Sequence, residues 1–139
     1  MSETWTILLV DDDPDFVEGK RLYLEARGHR VLTAASASEA LAVLEEVTPD
    51  AIVLDLMMDH VDDGFRLGYR IGSDERLRDV PRIMVSGVAA ATGRRFDGDG
   101  EGLARWSRID RFLDKPVSGA QLLRAIEEEL AARRAAADT

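Results

Sequence analysis

The chain contains no cysteine. Disulfides, thiol catalysis and thiolate metal sites are therefore excluded, and the composition suits a reducing compartment, so a cytoplasmic location is expected. Histidine is almost as scarce: His29 and His60 are the only two. Without cysteine or a histidine pair a zinc site is not expected, and both histidines are expected at the surface. Positive charge is in deficit, 18 Lys and Arg against 27 Asp and Glu, net −9. Such a balance disfavours direct binding to nucleic acid or to an anionic membrane surface. No apolar run approaches a membrane span, and Met1-Ser2-Glu3-Thr4 has neither the basic region nor the apolar core of a signal peptide. Internal repeats are also missing.

What remains is an ordinary globular composition, 45% hydrophobic and 32% charged over 139 residues, enough for one domain with a full core. Three short apolar runs end in charge. Asp11-Asp12-Asp13 follows Ile7–Val10, Asp55 follows Ala51–Leu54, and Lys115 comes shortly after Phe112. Each run reads as a buried strand of a parallel sheet, and open α/β sheets carry their functional groups at the carboxyl ends of the strands. If these strands are neighbours, three carboxylates and one ammonium meet in one crevice. Carboxylates that close repel each other unless a cation holds them, and a hard divalent ion with oxygen ligands, Mg²⁺ above all, is the natural partner.

Strand and helix patterns alternate along the whole chain. Thr6–Val10 is the first strand. Asp13 then suits an N-cap rather than a metal ligand, with Pro14 at the first helical position. Phe16, Val17, Leu22, Tyr23 and Leu24 give an apolar helical face, and Gly28 ends the helix. Val31–Ala34 is a second strand. A capping box of Ser36 with Glu39 opens a second helix, and Pro49-Asp50 turns into the third strand, Ala51–Leu54. A helix around Phe65–Gly72, a strand at Arg82–Ser86 after Pro81, and a strand at Arg111–Leu113 follow. Ser118 and Gln121 form a second capping box before a last helix carrying Leu122, Leu123, Ile126 and Leu130. The core is expected over about 6–130, with 131–139 a frayed tail. A (βα)₅ sheet is the resulting fold, and crossover handedness leaves it few topologies.

The stretches ILLVDDDPD, PDAIVLDLMM, PRIMVSG and RFLDKPVSGAQLL, in this order on the strand ends, resemble the receiver domain of response regulators in two-component signalling. The likeness covers roughly Thr6 to Leu130. It implies a flavodoxin-like doubly wound α/β fold, a five-stranded parallel sheet in the order 2-1-3-4-5. It also implies that Asp55 is the phosphorylated aspartate, that Asp11 and Asp12 are the acidic pair for Mg²⁺, and that the backbone carbonyl of Met57 is a further ligand. Ser86 matches the switch hydroxyl, Lys115 the family's invariant lysine, and Phe112 the switch aromatic. The implied partners are a sensor histidine kinase or histidine phosphotransfer protein and a downstream protein. The chain would then be no enzyme in the usual sense, but a phosphoacceptor that promotes its own phosphorylation and dephosphorylation.

The chemistry of those roles follows from the residue types. A carboxylate attacking phosphorus must approach negative oxygens, whose charge a divalent cation offsets. Lys115 is a compact point charge suited to a phosphoryl oxygen. New charge on Asp55 can draw Ser86 inward and vacate space for Phe112, a two-state packing change.

Two departures from the family stand out. Position 59 is Asp where the family usually has proline, and Asp62-Asp63-Gly64 comes one residue late, so a longer and less rigid loop is expected over 59–64. The fourth and fifth strands are joined by an extended connection with glycines at 93, 98, 100 and 102. Four glycines disfavour a helix there, and a mobile segment is expected over about 89–103. Asp97–Gly102 mimics the start of an EF-hand loop, but Arg108 stands where the loop needs its twelfth-position glutamate.

Three rivals use similar parts. A haloacid-dehalogenase-type phosphatase needs an acidic pair beyond the lysine, which is absent. A flavodoxin needs a hydroxyl- and glycine-rich phosphate loop where Asp11–Asp13 stands. A pseudo-receiver, a binding module that is never phosphorylated, would normally lack one of Asp55, Lys115 or the acidic pair, and this chain keeps all of them.

Overall fold

The structure is a computed structural model of the chain, and it describes residues 4–55, 63–86 and 110–137, with side chains over 4–54, 67–85 and 110–133. In chain order the elements are β1 (Thr6–Val10), α1 (Pro14–Ala26), β2 (Arg30–Ala34), α2 (Ala37–Glu46), β3 (Ala51–Asp55), α3 (Asp63–Gly72), β4 (Arg82–Ser86), β5 (Arg111–Asp114) and α4 (Gly119–Ala137). The strands form one parallel sheet ordered β2-β1-β3-β4-β5. This is the doubly wound arrangement expected from the sequence. The long β4–β5 connection, the loop before Asp63, His60 and Trp106 lie outside the described residues.

The apolar strands are buried on both sides, which is why they read as continuous runs rather than alternating ones. Leu8, Val10, Ile52, Leu54 and Met84 face one core with Ala40, Leu44, Leu67 and Ile71 of α2 and α3. Their neighbours Ile7, Leu9, Val53, Ile83 and Val85 face the other core with Leu24, Leu122 and Ile126 of α1 and α4. Period-two alternation thus distributes one run between two helical layers.

The helix starts follow local chemistry. The Asp13 carboxylate accepts from the amides of Asp15 at 3.0 Å and Phe16 at 3.4 Å, with Pro14 opening α1. Gly28, at φ +93°, takes the left-handed conformation after the helix. Ser118 and Gln121 exchange both capping bonds, at 2.8 and 3.0 Å. At α2 the Ser36 hydroxyl accepts from the Glu39 amide, but the Glu39 carboxylate accepts from Ala35 rather than from Ser36.

Several local expectations need correction. His29 is buried, not superficial, at 7% exposure. Its ring stacks on Trp5 at 5.0 Å, and its Nδ1 accepts from the Trp5 amide at 3.1 Å. Leu22 is 55% exposed. Two residues before Leu24, it lies about 200° round the helix from the buried face. Strands β2, β3 and β5 each extend one residue further than expected. Helix α4 runs past residue 130 to Ala137. There Arg133 donates to the Asp79 carbonyl at 2.7 Å and pairs with Asp110 at 2.9 Å, tying the last turns to the bottom of the sheet. Among the described residues no helix is long and apolar enough to cross a membrane.

Candidate functional site

Strand order and register bring the charged strand ends together. Val10 of β1 pairs with Leu54 of β3, so Asp11 and Asp55 are level on adjacent strands. Asp55 pairs with Val85, one residue before Ser86, and Ser86 pairs with Asp114, one residue before Lys115. The backbones of Asp11, Asp55, Ser86 and Lys115 therefore share the carboxyl edge of four adjacent strands. The chain reverses its winding between β1 and β3, which makes this edge the switch point where doubly wound sheets bind ligands.

The three consecutive aspartates diverge in role. Asp11 continues the ladder through its amide, which donates to the Ala34 carbonyl at 3.0 Å. Its side chain turns inward and is 4% exposed. One oxygen accepts from the Asp13 amide at 2.9 Å, and the other meets the Lys115 ammonium at 3.1 Å. Asp12 points to solvent. Asp13 is consumed by the cap of α1. A side chain pointing out beside one pointing in offers one accessible carboxylate and one buried, ion-paired carboxylate.

Lys115 arrives from the sheet edge just past β5, and its ammonium also meets an aromatic ring. It sits 4.5 Å from the centroid of the Phe16 ring, within cation–π range. The ammonium of Lys20 lies 4.7 Å from the same centroid. Phe16 is half-buried and packs on the α1–α4 core. Phe112, on β5, is half-buried on the opposite face, paired in register with Met84 and packed on the α2–α3 core.

A cleft of about 280 Å³ opens beside Asp11 and Asp12, lined also by Pro14, Val17, Ala35 and Glu39. A second, of about 310 Å³, runs between β5 and α4 past Arg111, Gln121, Arg124 and Glu128, away from Asp11 and Asp12. The first adjoins the acidic pair on the β2 side of β1.

The donor set fits a hard divalent cation: oxygens only, two of them on neighbouring aspartates of which one is exposed. Among the described side chains no three metal-type ligands cluster. The expected third carboxylate, Asp55, is placed by its backbone only, and its side chain, Met57 and the Ser86 hydroxyl lie outside the described side chains.

Sequence reading missed two groups. Phe16 could have been noticed, standing one helical turn after the Asp-rich strand end. Arg82 could not: it opens an apolar strand, yet it is 3% exposed, with its guanidinium donating to the carbonyls of Leu77, Arg78 and Val80.

A five-stranded parallel sheet in this order, with acidic groups and a lysine at its switch point, places the chain among flavodoxin-like doubly wound α/β proteins. The family is specific: residues 7–127 match the response regulator receiver domain, and the chain belongs to that family. It is 32% identical to the response regulator Rre1 of Synechocystis, over 99% of this chain and 57% of that protein. A 14.6 kDa protein of Leptolyngbya boryana is 36% identical, over 88% of this chain and 87% of its own length. The CheY-like receiver domain protein of Methanospirillum hungatei superimposes with a TM-score of 0.79 at 26% identity, covering 95% of this chain and 98% of that one. The chain thus spans a little over half of Rre1 but nearly all of the shorter relatives.

Proposed function

We propose that this chain is a phosphoacceptor receiver whose nucleophile is Asp55. The observation that carries the reading is the part-buried Asp11–Lys115 ion pair of 3.1 Å at the strand edge level with Asp55. In the reaction, an Asp55 carboxylate oxygen forms a bond to phosphorus as the phosphorus–nitrogen bond of a phosphohistidine breaks. The imidazole leaves with the bonding pair and takes a proton. The donor would be a histidine kinase or a histidine phosphotransfer protein.

Each residue of the site has a definite task. Asp12, exposed, would bind Mg²⁺ directly, while Asp11, held by Lys115 and the Asp13 amide, would act from behind it. Asp55 and the Met57 carbonyl would complete the protein's share of the ligands. The metal, when bound, supplies positive charge that offsets the repulsion between carboxylates and phosphoryl oxygens. Lys115 would contact a phosphoryl oxygen, and Ser86 would donate its hydroxyl to another. The inward pull on Ser86 would free space for Phe112, which reports the new state to a downstream protein at β5 and α4. We further propose that 1–139 folds as a single domain and works in the cytoplasm.

Acetyl phosphate as the donor tests this reading by intact mass. Wild type with Mg²⁺ is expected to gain one phosphoryl group, and Asp55→Asn or added EDTA to abolish the gain. Equal labelling of Asp55→Asn overturns Asp55 as acceptor. An unlabelled wild type, with Mg²⁺ present, favours the pseudo-receiver.

A further inference from the structure

We propose that Phe16 is a positioning residue for Lys115, a fixed aromatic seat that holds the ammonium at the phosphoryl-transfer edge. The proposal rests on the phosphoacceptor reading for its functional consequence, but not for its geometry.

A lysine has four flexible carbons and a strongly hydrated head, so holding it at one point costs rotamer entropy. Asp11 supplies one contact, at 3.1 Å. The Phe16 ring adds a contact of another kind: the ammonium lies 4.5 Å from the ring centroid. The attraction arises from the ring quadrupole and does not compete for the carboxylate.

The ring is itself well anchored. Phe16 packs on the core formed by α1, α4 and the sheet. Its amide donates to the Asp13 cap at 3.4 Å, within the same turn that orients Asp11 through the Asp13 amide. One capped turn therefore sets both the carboxylate and the ring that contact Lys115. Lys20, one turn further on, places a second ammonium 4.7 Å from the same centroid. The electron density of this ring is thus the shared feature of two cations, which separates its role from plain apolar filling.

The test varies the ring's electrons separately from its volume. Phe16→Leu keeps apolar bulk, Phe16→Tyr keeps the ring, and 3,4,5-trifluorophenylalanine at position 16 keeps the shape while depleting the face. Phosphorylation by acetyl phosphate in Mg²⁺ is followed over donor concentration. The maximal rate is expected to fall about fivefold in Phe16→Leu and several-fold in the trifluoro protein, as loss of a partly desolvated cation–π contact implies. Half-saturating donor concentration should hold steady, and Phe16→Tyr should recover most of the rate. An independent reading comes from NMR of the Lys115 ε-methylene. Ring-current shielding is expected in wild type and Phe16→Tyr and absent in Phe16→Leu.

Full maximal rate in Phe16→Leu overturns the proposal. So does a trifluoro protein as fast as wild type, since that leaves packing alone. If wild type accepts no phosphoryl group, the phosphoacceptor reading fails, and the Lys115 shift then decides the seat: no shielding overturns it.

Discussion

At the residue scale the acidic run shows how neighbours of one type are assigned different work. Asp13 is taken by an amide cap, Asp11 by an amide and an ammonium, and Asp12 is exposed and stands outside both arrangements. Direct ligation should therefore fall chiefly on Asp12. Asp12→Ala is expected to weaken Mg²⁺ binding by at least tenfold, and Asp11→Ala by less, as calorimetry at one ionic strength would measure. Equal affinity in Asp12→Ala and wild type would sink this assignment. His29 and Arg82 carry a complementary lesson. Each is polar by type and buried in fact, because the backbone offers it partners: the Trp5 amide for His29, and three carbonyls for Arg82. Burial of such groups is tolerated where the hydrogen bonds are satisfied.

At the element scale the contact between α1 and the start of α4 allows no side chain at Gly119. A Cβ there would come within 2.8 Å of both Cβ and Cδ1 of Tyr23. The Tyr23 Cβ is fixed to the backbone and cannot swing away. Gly119→Ala is expected to destabilise by about 1–3 kcal/mol, the usual range for overpacking. Tyr23→Ala should relieve that strain, so the double variant is less destabilised than the sum. Additivity in urea titrations would argue that the helices simply separate. The same helix is clamped to β5 by Arg111, which meets Glu128 at 2.8 Å and Glu129 at 3.2 Å. The hydrogen bond from Arg111 holds the Glu128 carboxyl below its ordinary range. A carboxylate with a lowered folded pKa stabilises the fold above its unfolded value, and that contribution is lost as pH falls through the folded value. Arg111→Gln should therefore lower the urea midpoint slightly at pH 7 and make no difference near pH 2. A difference of the same size at both pH values would show that Arg111 acts through packing.

At the scale of the whole molecule, two helical layers share one sheet, and every described strand contributes to one or both cores. Such a body should unfold as one unit. Tryptophan fluorescence reports Trp5, beside β1, together with Trp106, and far-UV circular dichroism reports all helices. Their urea transitions are expected to coincide, and two resolved steps would overturn the single-domain proposal. The family match over residues 7–127 spans nearly the same body. The shorter relatives are covered almost entirely and Rre1 by a little over half. A receiver module that recurs alone or attached to other segments accounts for both.

The sequence by itself determined the elements and the starts of the capped helices. Apolar runs of strand length, Asp13 before Pro14, and Ser118 with Gln121 are local signals, because backbone hydrogen bonding and side-chain caps act within a few residues. It also supplied the acidic strand ends and the lysine, and with them the family. It did not determine which aspartate is buried, that His29 is stacked, that Leu22 faces water, or that Phe16 lies against Lys115. Those facts depend on which strands are adjacent and how the helices rotate onto them. Residues Asp11 and Lys115 are separated by 104 positions in the chain, and only the order β2-β1-β3-β4-β5 with the β5–α4 turn brings their charges within 3.1 Å. Tertiary structure decided the site because charge acts through space, while the signals legible in sequence act along the chain.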